Sequence, residues 1–298
     1  MRNSAKVLNS LNRHSKDLNY KYERLYRILF NTEMYAVAYQ RIAPKQGNMT
    51  EGTDGKTIDG MSIKRIENLI ASLKDESYQP KPSRRTYIPK KNGKMRPLGI
   101  PATEDKLLQE VVKMVLEAIY EESFEYTSHG FRPKRSCHTA LKQIEKSFCG
   151  VKWYIEGDIK GFFDNVNHSK LIRQMWAMGI RDKKLICIIK QMLKAPIVLP
   201  NGDMIYPTKG TPQGGILSPL LANIVLNELD WWVSSQWETM PAHKEYKLRM
   251  DRNGNPIRSH IYRAFRTSNL KEMYIVRYAD DFKIFCRKRS DAEKFSLP

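Results

Sequence analysis

Three aspartates in this sequence lie where metal-dependent chemistry would need them. Asp158 ends the apolar run KWYIEGD, and Asp280 and Asp281 lie between the apolar runs MYIVRY and FKIFC. Carboxylate oxygens suit hard Mg²⁺ ions, which keep several waters and also take phosphate oxygens from a substrate. If the runs belong to one sheet, the carboxylates converge at its edge. Such a cluster can hold two metal ions that activate a hydroxyl nucleophile and stabilise a leaving group.

A simpler interpretation of the same residues is a solvated turn. Aspartate is common in turns, so the pair Asp280–Asp281 is by itself what an ordinary surface turn would show. Asp158 alone is less specific still. The surrounding elements and blocks of sequence must therefore decide between the two interpretations.

The elements that would position the acids predict an α+β fold. Residues 152–158 are expected to form a strand ending at Asp158, and the runs around the acid pair are expected to form strand, tight turn and strand. Helices and strands do not alternate as in a doubly wound fold, which indicates an antiparallel sheet. Apolar spacing predicts helices over residues 17–42 (with Leu18 and Tyr22 on the apolar face), 63–73, 108–119, 168–178, 182–194 and 216–237.

Turn residues and polar stretches complete this outline. Hairpins are predicted where Asn92-Gly93 and Asn201-Gly202 follow extended runs, because both residue types tolerate positive φ. Asp182 is a predicted N-cap. Residues 44–60 are expected to be a mobile loop, and residues 240–271 an insertion or extended loop.

The charge of the chain predicts a polyanionic partner. Its 298 residues include 51 Lys and Arg against 32 Asp and Glu, a formal net charge of +19. Nucleic acid is the commonest polyanion that such a protein binds, although a solvated basic face has the same composition. Four cysteines, including Cys149, lack the paired spacing of a zinc site or disulfide frame. With no apolar stretch long enough to cross a bilayer and no secretory signal, we expect no membrane association and a bacterial cytoplasmic protein.

The blocks around the acids resemble those of reverse transcriptases, and in particular of those encoded by group II introns. Tyr278-Ala279-Asp280-Asp281 is similar to the YxDD signature, and DIKGFF (158–163) is similar to the other aspartate motif of the family. Three further blocks, RPLGIPATEDK (96–106), SHGFRPKRSCHTAL (128–141) and TPQGGILSPLLANIVLNELD (211–230), are more specific to group II intron proteins. All five occur in the family's order.

The resemblance implies the fingers and palm of a right-hand polymerase with an antiparallel palm sheet. It implies an N-terminal extension of helix and basic loop over residues 1–60, fingers over 61–150, and a palm with part of the fingers over 151–298. Family members continue into a thumb or maturase domain, which this sequence lacks. We therefore expect little or no activity from this portion alone, and pairing of two copies is one way to cover the exposed sheet edge.

For the site, the resemblance implies that Asp158, Asp280 and Asp281 hold two Mg²⁺ ions, with the backbone carbonyl of Ile159 as an extra ligand. The ions would serve nucleotidyl transfer to a DNA primer paired with an RNA template.

The resemblance also implies a set of residues that bind the deoxynucleoside triphosphate. Lys90 and Arg96 match residues that grip the triphosphate, Phe163 matches the steric gate that excludes a ribose 2′-hydroxyl, and Gln213 lies near the nascent base pair. Each has an alternative interpretation. Lys90 and Arg96 fit ordinary hairpin surface charge, Phe163 fits a core position beside Phe162, and Gln213 fits the end of a turn.

Two functions of different classes follow from the resemblance. One is an RNA-directed DNA polymerase that also binds group II intron RNA for splicing and retrohoming. The alternative is an RNA-binding maturase module that assists intron splicing without polymerase activity. A metal-dependent nuclease uses similar acids, but it would need neither the basic hairpin nor a steric gate. The three intact aspartates favour the polymerase.

Overall fold

The structure, a computed structural model, describes residues 3–17, 19–90, 93–148, 150–242, 249–252 and 256–296. The chain divides into two compact units, each made of two stretches of sequence. The first unit comprises Met1–Phe124 and Gly161–Val225, and the second comprises Glu125–Lys160 and Leu226–Pro298.

The secondary structure is mixed, as the α+β prediction requires. The α-helices are α1 (Ser4–His14), α2 (Thr32–Ile42), α3 (Ile63–Lys74), α4 (Thr103–Tyr120), α5 (Cys137–Ser147), α6 (Phe162–Asn165), α7 (His168–Ala177), α8 (Lys183–Lys194), α9 (Ser218–Gln236), α10 (Ser259–Arg266) and α11 (Arg289–Ser296). The strands are β1 (Ser83–Pro89), β2 (Met95–Ile100), β3 (Trp153–Asp158), β4 (Ile197–Val198), β5 (Met204–Ile205), β6 (Arg249–Met250), β7 (Pro256–Ile257), β8 (Met273–Tyr278) and β9 (Asp281–Cys286). Short 3₁₀ turns occupy Tyr26–Phe30, Gln46–Met49, Ile58–Gly60 and Glu121–Ser123.

The first unit is built around α4 and a four-stranded sheet. The sheet has the order β2-β1-β4-β5, with β1 parallel to β4 and the other pairs antiparallel. Both predicted hairpins are present, although Asn92 lies outside the described residues. The apolar face of α4 is fully buried and contacts α1, α2 and α3. Asp182 caps α8 by accepting hydrogen bonds from the backbone N–H groups of Lys184 and Leu185, as predicted.

The predicted helix over residues 17–42 is wrong in its first half. Tyr22 lies in a β-bridge with Ile180, where its N–H donates to the carbonyl of Gly179 (2.8 Å) and its carbonyl accepts from the N–H of Arg181 (2.9 Å). Backbone groups used in this bridge cannot also close a helical turn. Leu18 lies outside the described residues. The helix α2 starts later, where the Asn31 side chain accepts from the N–H of Glu33.

The segment 44–60 is irregular, as expected, but it is anchored to α4. The ammonium group of Lys106 donates to the backbone carbonyls of Asn48 (3.0 Å) and Thr50 (2.5 Å). Lys106 is buried, and burial lowers the pKa of its ammonium group, with the neighbouring Arg84 charge lowering it further. Ile58 is also fully buried. These contacts fix both ends of a loop whose composition predicts mobility.

The second unit contains the antiparallel sheet predicted around the acids. Its order is β3-β9-β8, and its apolar core includes Trp237, Ile275, Ile284 and Cys286. The interpretation of residues 240–271 as an extended loop is wrong in part, because the segment contains the β6–β7 pair and α10. The side chains of Ile261 and Phe265, one helical turn apart on α10, are buried in the same core. Residues 243–248, 253–255 and Cys149 lie outside the described residues.

Candidate active site

The acids at the end of the second unit's sheet are brought together by strand register. Asp158 is the last residue of β3 and pairs with Asp281, the first residue of β9. Asp281 also pairs with Tyr278, the last residue of β8. Asp280 lies in the turn between β8 and β9. Paired positions on adjacent antiparallel strands have neighbouring side chains, so the strand ends collect the acids at one edge.

The electrostatics of this edge favour a cation. The side chains of Asp158 and Asp281 are exposed, and Asp280 is half-buried. Partial burial raises the pKa of Asp281, and the negative charges of Asp280 and Asp158 raise it further. Like charges facing each other across strands are unfavourable unless a counter-charge compensates.

The carboxylates do not form a closed metal cage. Among the residues that the structure describes, no three His, Cys, Asp or Glu side chains converge closely enough to hold a metal ion. An open arrangement is compatible with Mg²⁺, which takes only one or two carboxylates and completes its shell with waters and substrate phosphates. Ile159 follows Asp158 and is half-buried, and the role of its carbonyl as a metal ligand stays a prediction.

The turn that carries Asp280 has a backbone conformation that is uncommon for its sequence. Ala279 has a φ of +61°, in the left-handed region where a residue with a Cβ is disfavoured. The backbone of Gly130 packs directly against it. A Cβ at Gly130 would lie 2.1 Å from the nitrogen of Ala279 and 2.8 Å from its Cα. A residue without a side chain is therefore required at position 130.

A buried ion pair lies directly behind this turn. Arg277 and Asp230 are both 0% exposed, and their closest approach is 2.6 Å, from Nη2 to Oδ2. The Nε of Arg277 donates to both carboxylate oxygens of Asp230 (2.9 and 3.0 Å). Its Nη2 also donates to the hydroxyl of Ser128 (2.7 Å), and its Nη1 donates to the backbone carbonyl of Ala279 (2.8 Å). The guanidinium thus links α9 to the turn.

In the first unit, the segments that carry Phe163 and Gln213 are bound to each other. The N–H of Thr211 donates to the carbonyl of Phe163 (2.7 Å). The Gln213 side-chain amide donates to both oxygens of Asp164 (3.1 and 3.2 Å). Because its nitrogen faces Asp164, the amide oxygen of Gln213 is directed away from that carboxylate.

The β1–β2 hairpin is joined to the same segment. The N–H of Gly99 in β2 donates to the carbonyl of Gln213 (2.6 Å). Arg96 pairs with Ile88 in the hairpin, and Lys90 follows β1 with its N–H bonded to the carbonyl of Lys94 (2.8 Å). Both Lys90 and Arg96 are exposed, and their role in binding a triphosphate stays a prediction. The first unit therefore brings Phe163, Gln213 and the basic hairpin into one hydrogen-bonded assembly.

The sequence alone assigns no role to four residues that support either the turn of Asp280 or the assembly of Phe163, Gln213 and the hairpin. Asp164, Gly130, Asp230 and Arg277 each act through a contact with a distant part of the chain. The available signal was a charge in an apolar context, since Arg277 interrupts the strand MYIVRY and Asp230 ends an apolar helical run. Charged residues are seldom fully buried unless they are paired.

Comparison with known proteins identifies the family. The sequence model of the family described as "Reverse transcriptase (RNA-dependent DNA polymerase)" matches residues 88–296, and the chain belongs to this family. Within it, the chain is related to the group II intron-encoded reverse transcriptases and maturases. The resemblance, the α+β fold and the fingers-and-palm class are confirmed.

Individual relatives also point to intron-encoded proteins. The chain is 49% identical over 235 residues to the group II intron-encoded protein LtrA of Lactococcus lactis subsp. cremoris, covering 78% of this chain and 39% of that protein. It is 41% identical over 264 residues to a 91 kDa protein in the cob intron of Schizosaccharomyces pombe, covering 88% of this chain and 32% of the relative. The chain thus spans only about two-fifths or less of these relatives' length.

A solved structure supports the fold. The "Partial Cas6-RT-Cas1--Cas2 complex" superposes with a TM-score of 0.50 at 23% identity, over 89% of this chain and 38% of the other. None of the described helices is long and apolar enough to cross a membrane.

Proposed function

We propose that this chain carries the polymerase site of an RNA-directed DNA polymerase encoded by a group II intron. The observation that carries the proposal is the pairing of Asp158 with Asp281 beside the turn of Asp280, in a chain that belongs to the reverse transcriptase family. An RNA-binding surface alone needs no such concentration of negative charge. Electrostatic repulsion would weaken its affinity for phosphates.

The acids fit a site for two Mg²⁺ ions. Asp158, Asp280 and Asp281 would hold the ions, with the carbonyl of Ile159 as a further ligand. When bound, such a pair of ions activates a primer 3′-hydroxyl and stabilises the oxygens of a leaving pyrophosphate. The carboxylates fix the position of this charge at the sheet edge, and the acids' mutual repulsion favours occupancy by cations.

The first unit would bind the incoming deoxynucleoside triphosphate. Lys90 and Arg96 would contact the phosphates, since positive groups stabilise the charge that develops during phosphoryl transfer. Phe163 would exclude a 2′-hydroxyl by shape. Gln213, whose amide is oriented by Asp164, would present its oxygen towards the nascent base pair.

The partners would be an RNA template with its DNA primer, and group II intron RNA. The formal charge of +19 provides the electrostatic attraction. In functional terms, residues 1–60 would form the RNA-recognising extension, 61–150 the fingers and 151–298 the palm. Maturase activity is a second candidate, because a relative 33% identical over 172 residues is "Nuclear intron maturase 2, mitochondrial" of Arabidopsis thaliana.

Primer extension on an RNA template with Mg²⁺ tests the polymerase. We expect the wild-type protein to extend the primer and Asp280→Asn to be inactive while still binding the RNA. Asp251→Asn is the matched control, because it removes the same charge from an exposed position of the second unit that is not part of the β3-β9-β8 sheet. The assay should use the longest natural form of the protein as well as these 298 residues. Absence of extension by every form, with tight and selective binding of intron RNA, would support the maturase instead.

A further inference from the structure

The buried pair of Arg277 and Asp230 has no role in the chemistry proposed so far. Burying two charges carries a large desolvation cost, and well-packed apolar residues often replace such a pair without loss of stability. A buried ion pair is therefore weak evidence for a purely stabilising role. The contacts of the guanidinium indicate what Arg277 does that an apolar side chain would not do.

Its contacts separate into two groups. One group joins Arg277 to side chains, namely the carboxylate of Asp230 and the hydroxyl of Ser128. The other group includes the bond from Nη1 to the backbone carbonyl of Ala279 (2.8 Å), the residue directly before Asp280. This carbonyl belongs to the residue with a φ of +61°. The guanidinium therefore binds the turn at its strained point.

The backbone of Arg277 is fixed as well. Its N–H donates to the carbonyl of Thr127 (3.0 Å), and its carbonyl accepts from the N–H of His129 (2.8 Å). The same segment continues to Gly130, which packs against Ala279. Two contacts thus confine the turn. The guanidinium binds the carbonyl of Ala279, and the segment 127–130 packs against the backbone of Ala279 through Gly130.

From this geometry we infer that Arg277, oriented by Asp230, is a positioning residue that holds the Ala279 turn in its left-handed conformation and so places Asp280 for metal binding. The inference rests on the proposed function for its catalytic consequence. Arginine suits this role because its planar fork presents several donors in fixed directions, whereas a lysine ammonium is a single point of charge. Asp230 supplies the opposing anchor that fixes the fork's orientation.

The test replaces the pair with apolar residues of similar size. The double variant Asp230→Leu/Arg277→Met leaves no unpaired buried charge, so we expect it to fold. Loss of positioning is expected to lower kcat by about 100-fold, because a displacement of about 1 Å at a reacting group has an effect of this size. We expect the KM for deoxynucleotide and the affinity for primer–template to change much less. The Mg²⁺ concentration for half-maximal rate should rise.

A second substitution covers the case in which the double variant does not fold. Arg277→Lys keeps the charge opposite Asp230, but its single ammonium group replaces the planar fork whose separate donors bind the carboxylate and the Ala279 carbonyl in fixed directions. We expect it to fold and to lose at least tenfold in kcat. Arg266→Met is the matched control, since it removes an arginine that pairs with Glu272 in the same unit and is not bonded to the turn. It should retain the wild-type kcat.

Hydrogen–deuterium exchange separates this inference from the proposed function. We expect the amides of residues 278–281 to exchange at least tenfold faster in the double variant than in the wild type or in Arg266→Met. If no form of the protein extends a primer, the polymerase proposal fails, and the exchange result still decides whether Arg277 holds the turn. A folded double variant with wild-type kcat, or with unchanged exchange in the turn, overturns the inference.

Discussion

Asp158 and Asp281 occupy facing positions on β3 and β9, although more than a hundred residues separate them in the chain. Their pairing concentrates negative charge at the strand ends, and it raises the pKa of Asp281 in addition to the effect of partial burial. The arrangement opposes folding slightly in the absence of cations. A cation bound at this edge of the sheet would offset the repulsion between the acids.

Asp281→Asn should therefore change stability and activity in opposite directions. In Mg²⁺-free buffer we expect the free energy of unfolding of the variant to exceed that of the wild type by about 0.2–1 kcal/mol, since like charges opposite each other destabilise paired strands by that amount. The variant should therefore melt at a higher temperature. Added Mg²⁺ should stabilise the wild type more than the variant, while primer extension by the variant should be lost. Thermal melting with and without Mg²⁺ measures the effect. A variant stabilised by Mg²⁺ as strongly as the wild type would contradict a metal role for Asp281.

Phe163→Ala should relax the choice between deoxynucleotides and ribonucleotides. In the proposed role of Phe163, its ring excludes the 2′-hydroxyl, so on its removal we expect the ratio of kcat/KM values to shift by roughly 10- to 100-fold towards ribonucleotides. Phe162→Ala is the control, because Phe162 is buried at 8% exposure and in edge contact with Phe163. It should lose stability, by about 3 kcal/mol or more, without this change in discrimination. Single-nucleotide incorporation with both substrates provides the comparison.

Gly130→Ala should displace the turn that carries Asp280, because Gly130 packs against Ala279 in that turn. The added methyl would overlap the backbone of Ala279, so the turn or the 127–130 segment must move. We expect a loss of about 1–3 kcal/mol in the free energy of unfolding and a fall in primer extension that persists at temperatures where the variant is folded. Gly47→Ala adds the same methyl in open space and should leave stability nearly unchanged. Full activity in folded Gly130→Ala would show that the close contact is not needed.

We expect Glu238 to make the stability of the protein depend on pH. Burial raises the pKa of this carboxyl to about 7, and its only described hydrogen-bond partner is the hydroxyl of Tyr126. Because the folded state holds the proton more tightly than the unfolded state, this group's contribution to stability is greatest below the unfolded pKa and is lost as pH rises towards 7. Glu238→Gln should match the wild type near pH 4.5 and exceed it above pH 7 by on the order of 2 kcal/mol. Urea unfolding across this pH range measures the difference, and parallel curves for the two proteins would disprove it.

Binding of RNA should weaken steeply with salt. Lys and Arg side chains that neutralise phosphates release counterions, so the logarithm of the affinity falls linearly with the logarithm of salt concentration, by about 0.7 per neutralised phosphate on single strands. Filter binding between about 50 and 200 mM salt measures the slope. Asp280→Asn should show the wild-type slope. A flat response would rule out an interface dominated by phosphate contacts.

Local signals in the sequence sufficed for much of the fold. The cap at Asp182, the Gly202 turn and the apolar runs of β3, β8 and β9 each act within a few residues, and the structure contains the elements they predict. The segment around Tyr22 was mispredicted because its apolar spacing fits a helix, whereas its backbone pairs with residues 179–181. Pairing between distant segments leaves no local pattern.

The candidate site shows the same division. The acids were found because their residue types and flanking strands are visible locally. The residues that hold the acids in place have no such local signal. Arg277 acquires its role only through Asp230 on a different element and through a backbone carbonyl two residues further along the chain. Likewise, only the structure reveals that Asp164 orients the amide of Gln213.

The attachment of the segment 44–60 has a consequence for how freely that segment can vary. Lys106 binds the carbonyls of Asn48 and Thr50, which every amino acid possesses. The anchor therefore does not depend on which side chains the loop carries. Outward-facing positions can therefore be exchanged without releasing the loop from α4, and the scaffold beneath the loop stays the same.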